Sequence, residues 1–100
     1  MTVPTMTING HDIQGMPIRL LFVRYLMASF LYYQLDEASP WSDHEYDAAC
    51  KRLYDEWGTF EHPHKVFADR DCLTAGSGYQ IRYYPKITQS AALRWARGDT

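Results

Sequence analysis

The chain lacks several features that would assign it to a familiar class of protein. It has only two cysteines, Cys50 and Cys72, which excludes a disulfide framework. A four-ligand zinc site would have to recruit histidines that show no recognisable spacing. No run of lysine or arginine could neutralise a row of phosphates, and the formal net charge is −2. We therefore expect no metal and no direct contact with nucleic acid.

The sequence also has no long uninterrupted apolar run. The stretch from Leu20 to Leu35 contains Arg24 and is too short to span a membrane comfortably. The first fifteen residues lack the basic-then-apolar order of a signal peptide. We therefore expect no membrane association and a cytoplasmic location.

What remains is the composition of one folded globular domain. Apolar residues make up 46% of the chain and charged residues 22%, and aromatic residues reach 15%, which predicts a core rich in rings. Residues 1–15 show no period and predict a flexible arm, with a short edge strand at Thr5 to Ile8 as the alternative. The single domain is expected to span residues 16–100.

A helical hairpin is the predicted centre of this domain. Pro17 suits a first helical turn, and apolar residues recur at three- and four-residue steps as far as Tyr32. This first helix is apolar nearly all round, so more than one element must cover it. Pro40 breaks it, and the short connection that follows predicts an antiparallel partner.

The start of the second helix carries a specific signal. Ser42 and Glu45 match a capping box, in which the two side chains satisfy each other's backbone N–H groups. The predicted helix runs from about Asp43 to Trp57, and Gly58 is the expected terminator. The hairpin as a whole is expected over about residues 17–63.

The C-terminal part predicts strands, so the predicted fold class is α+β. Gly76-Ser-Gly78 is typical of a turn that pairs residues 72–75 with an alternating strand at residues 79–83. A short strand is also expected at Val66 to Ala68. Thr88 then predicts the cap of a helix that continues to Arg97 and faces Ala92 and Trp95 inward.

The sequence contains only weak signals for a dinucleotide-binding loop, a metal site or a catalytic triad. Gly76 and Gly78 lack the third glycine of a dinucleotide-binding loop, and a plain turn is the better interpretation. Metal ligands could come from two groups that have no partner motif, His62-Pro-His64 and Asp69-Arg-Asp71. No catalytic triad is recognisable from spacing.

The most specific pattern spans the connection between the two predicted helices. Leu31-Tyr-Tyr-Gln-Leu-Asp36 precedes it, and Ser42-Asp-His-Glu-Tyr-Asp47 follows it. A Tyr followed four residues later by Asp, a short Pro-containing loop and then Asp-x-x-Tyr-Asp resembles the N-terminal Ia module of NAD-dependent DNA ligases. Lys51 to Trp57 and Glu61-His-Pro63 also resemble the module's second helix and exit loop. The pattern is similar, too, to small stand-alone ligase-related proteins of phages and bacteria.

The resemblance implies a binding site for the nicotinamide half of NAD. Carried over by position, the tyrosines around the ring are Tyr32 and Tyr46, and the carboxylates near the ribose and amide are Asp43 and Asp47. Tyr33 stands where the family usually has a histidine and is included in the expected site. The implied ligand is NAD or nicotinamide mononucleotide (NMN), in a bacterial or phage-infected cell.

These residues support two hypotheses about function. The leading one is a non-enzymatic accessory protein, of phage origin, that binds a nicotinamide nucleotide or docks on a partner protein that uses one. It is not expected to be an enzyme, because the chain lacks the Lys-x-Asp-Gly motif of nucleotidyl transfer. The alternative is a small protein-protein interaction protein, such as an anti-defence or anti-CRISPR inhibitor, in which the hairpin is only scaffold. In that case Asp43 is a helix-dipole residue and Asp47 pairs with Lys51.

Overall fold

The computed structural model describes residues 11–74 and 81–98, and all the regular secondary structure in these residues is helical. Helix α1 (Ile18–Ser29) continues directly into a π-helical turn (Phe30–Gln34), and α2 follows at Asp43–Asp55. Two 3₁₀ segments, Trp57–Thr59 and Pro63–Phe67, lead to a single helical turn, α3 (Arg70–Leu73). Helix α4 (Lys86–Ala96) completes the described part.

Helix α1 lies at the centre of the core, as its all-round apolar character predicts. Helices α2 and α4 both pack against it, and α3 packs against α2. Seven of its residues are buried: Leu21, Phe22, Tyr25, Leu26, Met27, Ala28 and Ser29. Aromatic rings from the connecting segments close the remaining sides, with Trp57, Phe60 and His62 all around Phe22.

Contacts at both ends of the hairpin confirm that α1 and α2 are antiparallel. At one end the Arg52 side chain, late in α2, donates to the backbone carbonyls of Ile13 and Met16, just before α1. At the other end Ser29, the last residue of α1, is hydrogen-bonded to Tyr46 early in α2. Of the predicted arm, residues 1–10 lie outside the described residues, and Ile13 is only 6% exposed.

The first helix ends in a wide turn. After the π-helical turn Asp36 adopts a positive φ of 55°, a left-handed conformation that Asp tolerates better than most residues. The Glu37 N–H donates to the carbonyl of Leu31 over 2.9 Å. This arrangement turns the chain into the Pro-containing loop and sets where Tyr32 and Tyr33 lie.

The predicted capping box of α2 is confirmed. The Ser42 side chain accepts a hydrogen bond from the Glu45 N–H, and the Glu45 carboxylate accepts one from the Ser42 N–H. The same carboxylate lies 2.8 Å from His11 Nδ1. The C-terminal boundary differs from the prediction, because α2 ends at Asp55 and Gly58 lies within a 3₁₀ turn.

The α+β prediction is wrong, because residues 11–74 and 81–98 contain no β-strand. The expected strand at Val66 to Ala68 is largely a 3₁₀ turn. Pro63 at its first position favours a helical start, and the Lys65 ammonium donates to two backbone carbonyls, those of Trp57 and Phe60, over 2.6 Å each.

The predicted β-hairpin fails on its described residues as well. Cys72 lies in helical turn α3, and residues 81–85 are irregular. Individual hydrogen bonds, and not the ladder of a β-sheet, hold that segment in place. The Arg82 N–H donates to the Phe67 carbonyl, and the Arg82 guanidinium bonds Asp69 and the Val66 carbonyl. The predicted turn at Gly76 to Gly78 lies outside the described residues.

The last helix is present, but it starts earlier than predicted. Pro85 precedes its first residue and supplies no side-chain cap, and Thr88 is buried inside the helix. Ala92 and Trp95 face the core, as predicted. The chain leaves α4 through Gly98, whose φ of 81° favours glycine.

We expect Ser42→Ala to lower the free energy of unfolding by about 1 kcal/mol, because the Glu45 N–H loses its acceptor. Burial acts to raise the pKa of Glu45, but the Ser42 N–H and His11 outweigh it and hold that pKa below its ordinary value. The stabilisation that the charged Glu45 carboxylate gives to the folded state should therefore be lost as the pH falls through this lowered pKa. Urea unfolding at neutral and acid pH measures both effects. An unchanged midpoint for Ser42→Ala would contradict the role of the cap.

Candidate functional site

All five residues of the expected site line one cleft, of about 430 Å³, at the loop end of the hairpin. The π-helical turn supplies Tyr32 and Tyr33, and the first two turns of α2 supply Asp43, Tyr46 and Asp47. The remaining lining comes from α1, the connecting loop and the cap of α2: Ala28, Ala38, Ser39, Trp41 and Ser42. The structure thus brings together the side chains that the resemblance selects.

The π-helical turn places one tyrosine in solvent. In the predicted α-helix Tyr32 shares the inner face with Tyr25 and Ser29, both of which are buried, but Tyr32 itself is 59% exposed. Its ring meets the Tyr33 ring edge-on, with centroids 4.8 Å apart and planes at 88°. The inner-face position that a regular α-helical period gives Tyr32, and that a purely structural hairpin would use, is therefore not formed. π-Helical turns are rare and are frequently found at functional sites.

Tyr46 has the opposite environment. Its hydroxyl shares a hydrogen bond of 2.6 Å with the hydroxyl of Ser29, which is fully buried. Burial raises the pKa of Tyr46 above its ordinary value, so the phenol stays neutral at physiological pH. The bond holds the hydroxyl inward, and a partly buried ring remains to line the cleft.

Trp41 is a lining residue that sequence reasoning missed. It is only 4% exposed, and its ring packs edge-on against Tyr46, with centroids 6.4 Å apart and planes at 68°. On its other side it meets Trp95 at 5.5 Å, and the Arg24 guanidinium lies 4.9 Å from the Trp95 ring. An aromatic residue directly before a capping box was a usable signal, since such a residue often packs back onto its helix.

The two carboxylates at the cleft are exposed. Among the described residues, none of the ion pairs includes Asp43 or Asp47. In particular, Lys51 pairs with Asp55 at 3.4 Å, so the pairing with Asp47 that a purely structural interpretation predicts is not formed. Within residues 11–74 and 81–98, no lysine, arginine or histidine lines the cleft. Both carboxylates are therefore available to a ligand.

This combination suits binding better than catalysis. Three phenols and the largely buried indole of Trp41 line the cleft, the exposed ring of Tyr32 offers a flat face, and two carboxylates offer negative charge and hydrogen-bond acceptors. The buried cysteine, Cys50, does not line the cleft. Because the hydroxyl of Tyr46 is already bonded and its pKa is raised, that phenol is poorly suited to act as a base.

A second cavity, of about 420 Å³, lies between the π-helical turn and residues 81–84. Phe30 and Gln34 line it from the turn, and Tyr83 and Tyr84 line it from the later segment. Arg82 also lines it, but the Arg82 guanidinium already donates hydrogen bonds to Asp69 and to the Val66 carbonyl. It contains none of the five expected site residues.

We expect Tyr46→Phe to lower the free energy of unfolding by about 1 kcal/mol, because buried Ser29 loses a hydrogen-bond partner. Tyr46→Ala should cost about 3 kcal/mol, since it also leaves a cavity between α1 and α2. Urea denaturation measures both changes, with exposed Tyr83→Phe as the control. Equal losses for Tyr46→Phe and the control would show that the Ser29 bond contributes nothing.

Neither a helical membrane span nor a metal-ligand cluster is found in residues 11–74 and 81–98. No helix there is long and apolar enough to cross a bilayer. No three His, Cys, Asp or Glu side chains there are grouped so that they could hold a metal ion. No protein-family model matches the chain, and no curated protein or solved structure is significantly similar to it.

Proposed function

We propose that the protein is a non-enzymatic binding protein whose cleft takes a nicotinamide nucleotide, NAD or NMN. The observation that carries the proposal is the convergence of five side chains from two separate elements on one cleft. Tyr32 and Tyr33 reach it from the π-helical turn, and Asp43, Tyr46 and Asp47 reach it from α2. The spacing of these five residues along the sequence does not by itself require their side chains to lie in one cleft.

The size and the lining of the cleft support the proposal. A volume of about 430 Å³ lies within the range of small-molecule sites, roughly 300–1,000 Å³. The oxidised nicotinamide ring is flat and positively charged, so aromatic faces and carboxylates both attract it. Asp43 and Asp47 lie one helical turn apart on the same side of α2 and flank Tyr46. They can accept hydrogen bonds from the amide and the ribose hydroxyls.

The lysines support binding without nucleotidyl transfer. The chain has three, Lys51, Lys65 and Lys86, and none of them lines the cleft. Lys51 pairs with Asp55, and Lys65 donates to two backbone carbonyls beside the rings of Trp57 and Phe60. No lysine amine is therefore placed to attack a nucleotide held there.

A second function, a small interaction or inhibitor protein, is favoured by one exposed feature. Leu35 is 37% exposed and directly follows the π-helical turn, and the next two residues are the exposed acids Asp36 and Glu37. An apolar group within an acidic surface suits a basic partner protein. Because Leu35 does not line the cleft, an effect that depends on Leu35 and not on nucleotide would favour this function.

Isothermal titration of the full chain with NMN and with NAD tests nucleotide binding. We expect one site per chain, and we expect Tyr32→Ala to weaken binding by roughly 1–3 kcal/mol because a ring-to-ring stack is lost. Asp47→Asn should weaken it less. The matched controls are Tyr83→Ala and Asp71→Asn, which are also exposed and lie outside the cleft. No heat of binding with either nucleotide at millimolar concentration would refute the proposal.

Incubation with NAD that carries a labelled adenylate group tests the absence of enzymatic transfer. We expect no labelled protein after denaturing electrophoresis, since no lysine is available at the cleft. A NAD-dependent DNA ligase in a parallel reaction shows that the label can be transferred. A stable lysine adduct on this chain would overturn the non-enzymatic assignment.

A further inference from the structure

We infer that the cleft is an aromatic cage that selects organic cations, so that positive charge on the ligand, more than a nucleotide structure, is what it recognises. The inference rests on the proposed function to the extent that both place a ligand in this cleft. It goes further by naming the chemical feature that is bound. It extends the expected ligands to quaternary ammonium groups as well as pyridinium rings.

The arrangement of the rings is the first argument. Two pairs of rings that meet edge to face line the same cleft: Tyr32 with Tyr33 at 88°, and Trp41 with Tyr46 at 68°. Rings that meet at such angles present faces and edges in different directions, so a cation in the cleft can approach the exposed face of Tyr32 and a second ring of the lining. A site for a flat neutral ring needs only one face or a parallel pair.

The charge of the lining is the second argument. Asp43 and Asp47 contribute two negative charges, and no lining residue is basic. The N-terminus of α2 opposes a cation, but its dipole is equivalent to only about half a positive charge. That charge is also partly satisfied by the capping box of Ser42 and Glu45. The described residues that line the cleft therefore carry a net negative charge.

An organic cation fits this lining better than a metal ion does. Calcium and magnesium bind through about six or more oxygen ligands, and magnesium also keeps its water tightly, whereas six of the ten residues of this lining are tyrosine, tryptophan or alanine. A quaternary ammonium or pyridinium group spreads its charge and is weakly hydrated, so contact with rings compensates for the water it loses. The exposure of Tyr32, 59%, leaves an electron-rich face accessible to such a group.

Two matched ligand pairs test the inference by isothermal titration of the full chain. The first pair is the N-methylated, cationic form of nicotinamide against neutral nicotinamide. The second is choline against its neutral carbon analogue, in which a tert-butyl group replaces the trimethylammonium group. We expect each cation to bind at least about tenfold more tightly than its neutral partner. Fluorescence of the tryptophans, of which Trp41 lines the cleft, gives an independent readout.

Variants distinguish attraction to a ring from ordinary apolar contact. Tyr32→Phe keeps the aromatic face and should bind the cations within about twofold of the parent, whereas Tyr32→Leu should weaken them about fivefold or more. Asp47→Asn should also weaken them. Tyr83→Leu and Asp71→Asn, outside the cleft, are the controls and should leave cation affinity unchanged. Equal loss for Tyr32→Phe and Tyr32→Leu would overturn the cage.

The outcomes separate this inference from the proposed function. If both cations bind and NMN does not, the cage stands and the nucleotide function fails. If NMN binds but each cation equals its neutral partner, the nucleotide function stands and the cage is refuted. If none of these ligands binds at millimolar concentration, both are refuted.

Discussion

Burial of helix α1 on almost every side is the constraint on which the other elements depend. Each leucine or phenylalanine that it buries gains roughly 1.5–3 kcal/mol relative to exposure, and a helix that is apolar all round cannot obtain this from one neighbour. Helices α2 and α4 therefore both pack on it, and Trp57 and Phe60 close the side at Phe22. Because α2 must run antiparallel to α1, its N-terminus comes to the end of α1. The cleft forms there.

The π-helical turn is where the chain departs from the best packing. Up to Ser29 the helix buries nearly every apolar side chain, but the wider turn that follows leaves Tyr32 and Leu35 exposed. Asp36 then takes a left-handed conformation, which costs a non-glycine residue about 1 kcal/mol. Because a left-handed residue is a common helical end, the exposure of Tyr32 is the less usual feature of this turn. Exposed rings and a strained backbone are combined at the place where the five expected site residues meet, as is common at functional sites.

Prediction from the sequence worked where local chemistry determines the structure. The capping box fixed the start of α2 at Asp43, and the apolar period identified α1 and its inner residues. It failed where distant contacts decide. The 3₁₀ turn at Val66 depends on Lys65 reaching two carbonyls earlier in the chain, and residues 81–85 are held by Arg82, so their alternating pattern does not make a strand. The angles between the rings of the cleft were not predicted, although the position of Trp41 directly before the capping box is a local signal for its packing on Tyr46.

A purely structural account explains only part of the cleft. Tyr46 has a structural role through its bond to buried Ser29, and Asp43 gains about 0.3–1 kcal/mol from the helix dipole at its position. Neither explanation extends to the other two residues. Asp47 lies beyond the first turn, and Lys51 pairs with Asp55 and not with it. Tyr32 contributes little to the core because most of its ring is in water. The proposed ligand would give these two side chains a common role, so Tyr32 and Asp47 are the residues at which binding and stability can be tested separately.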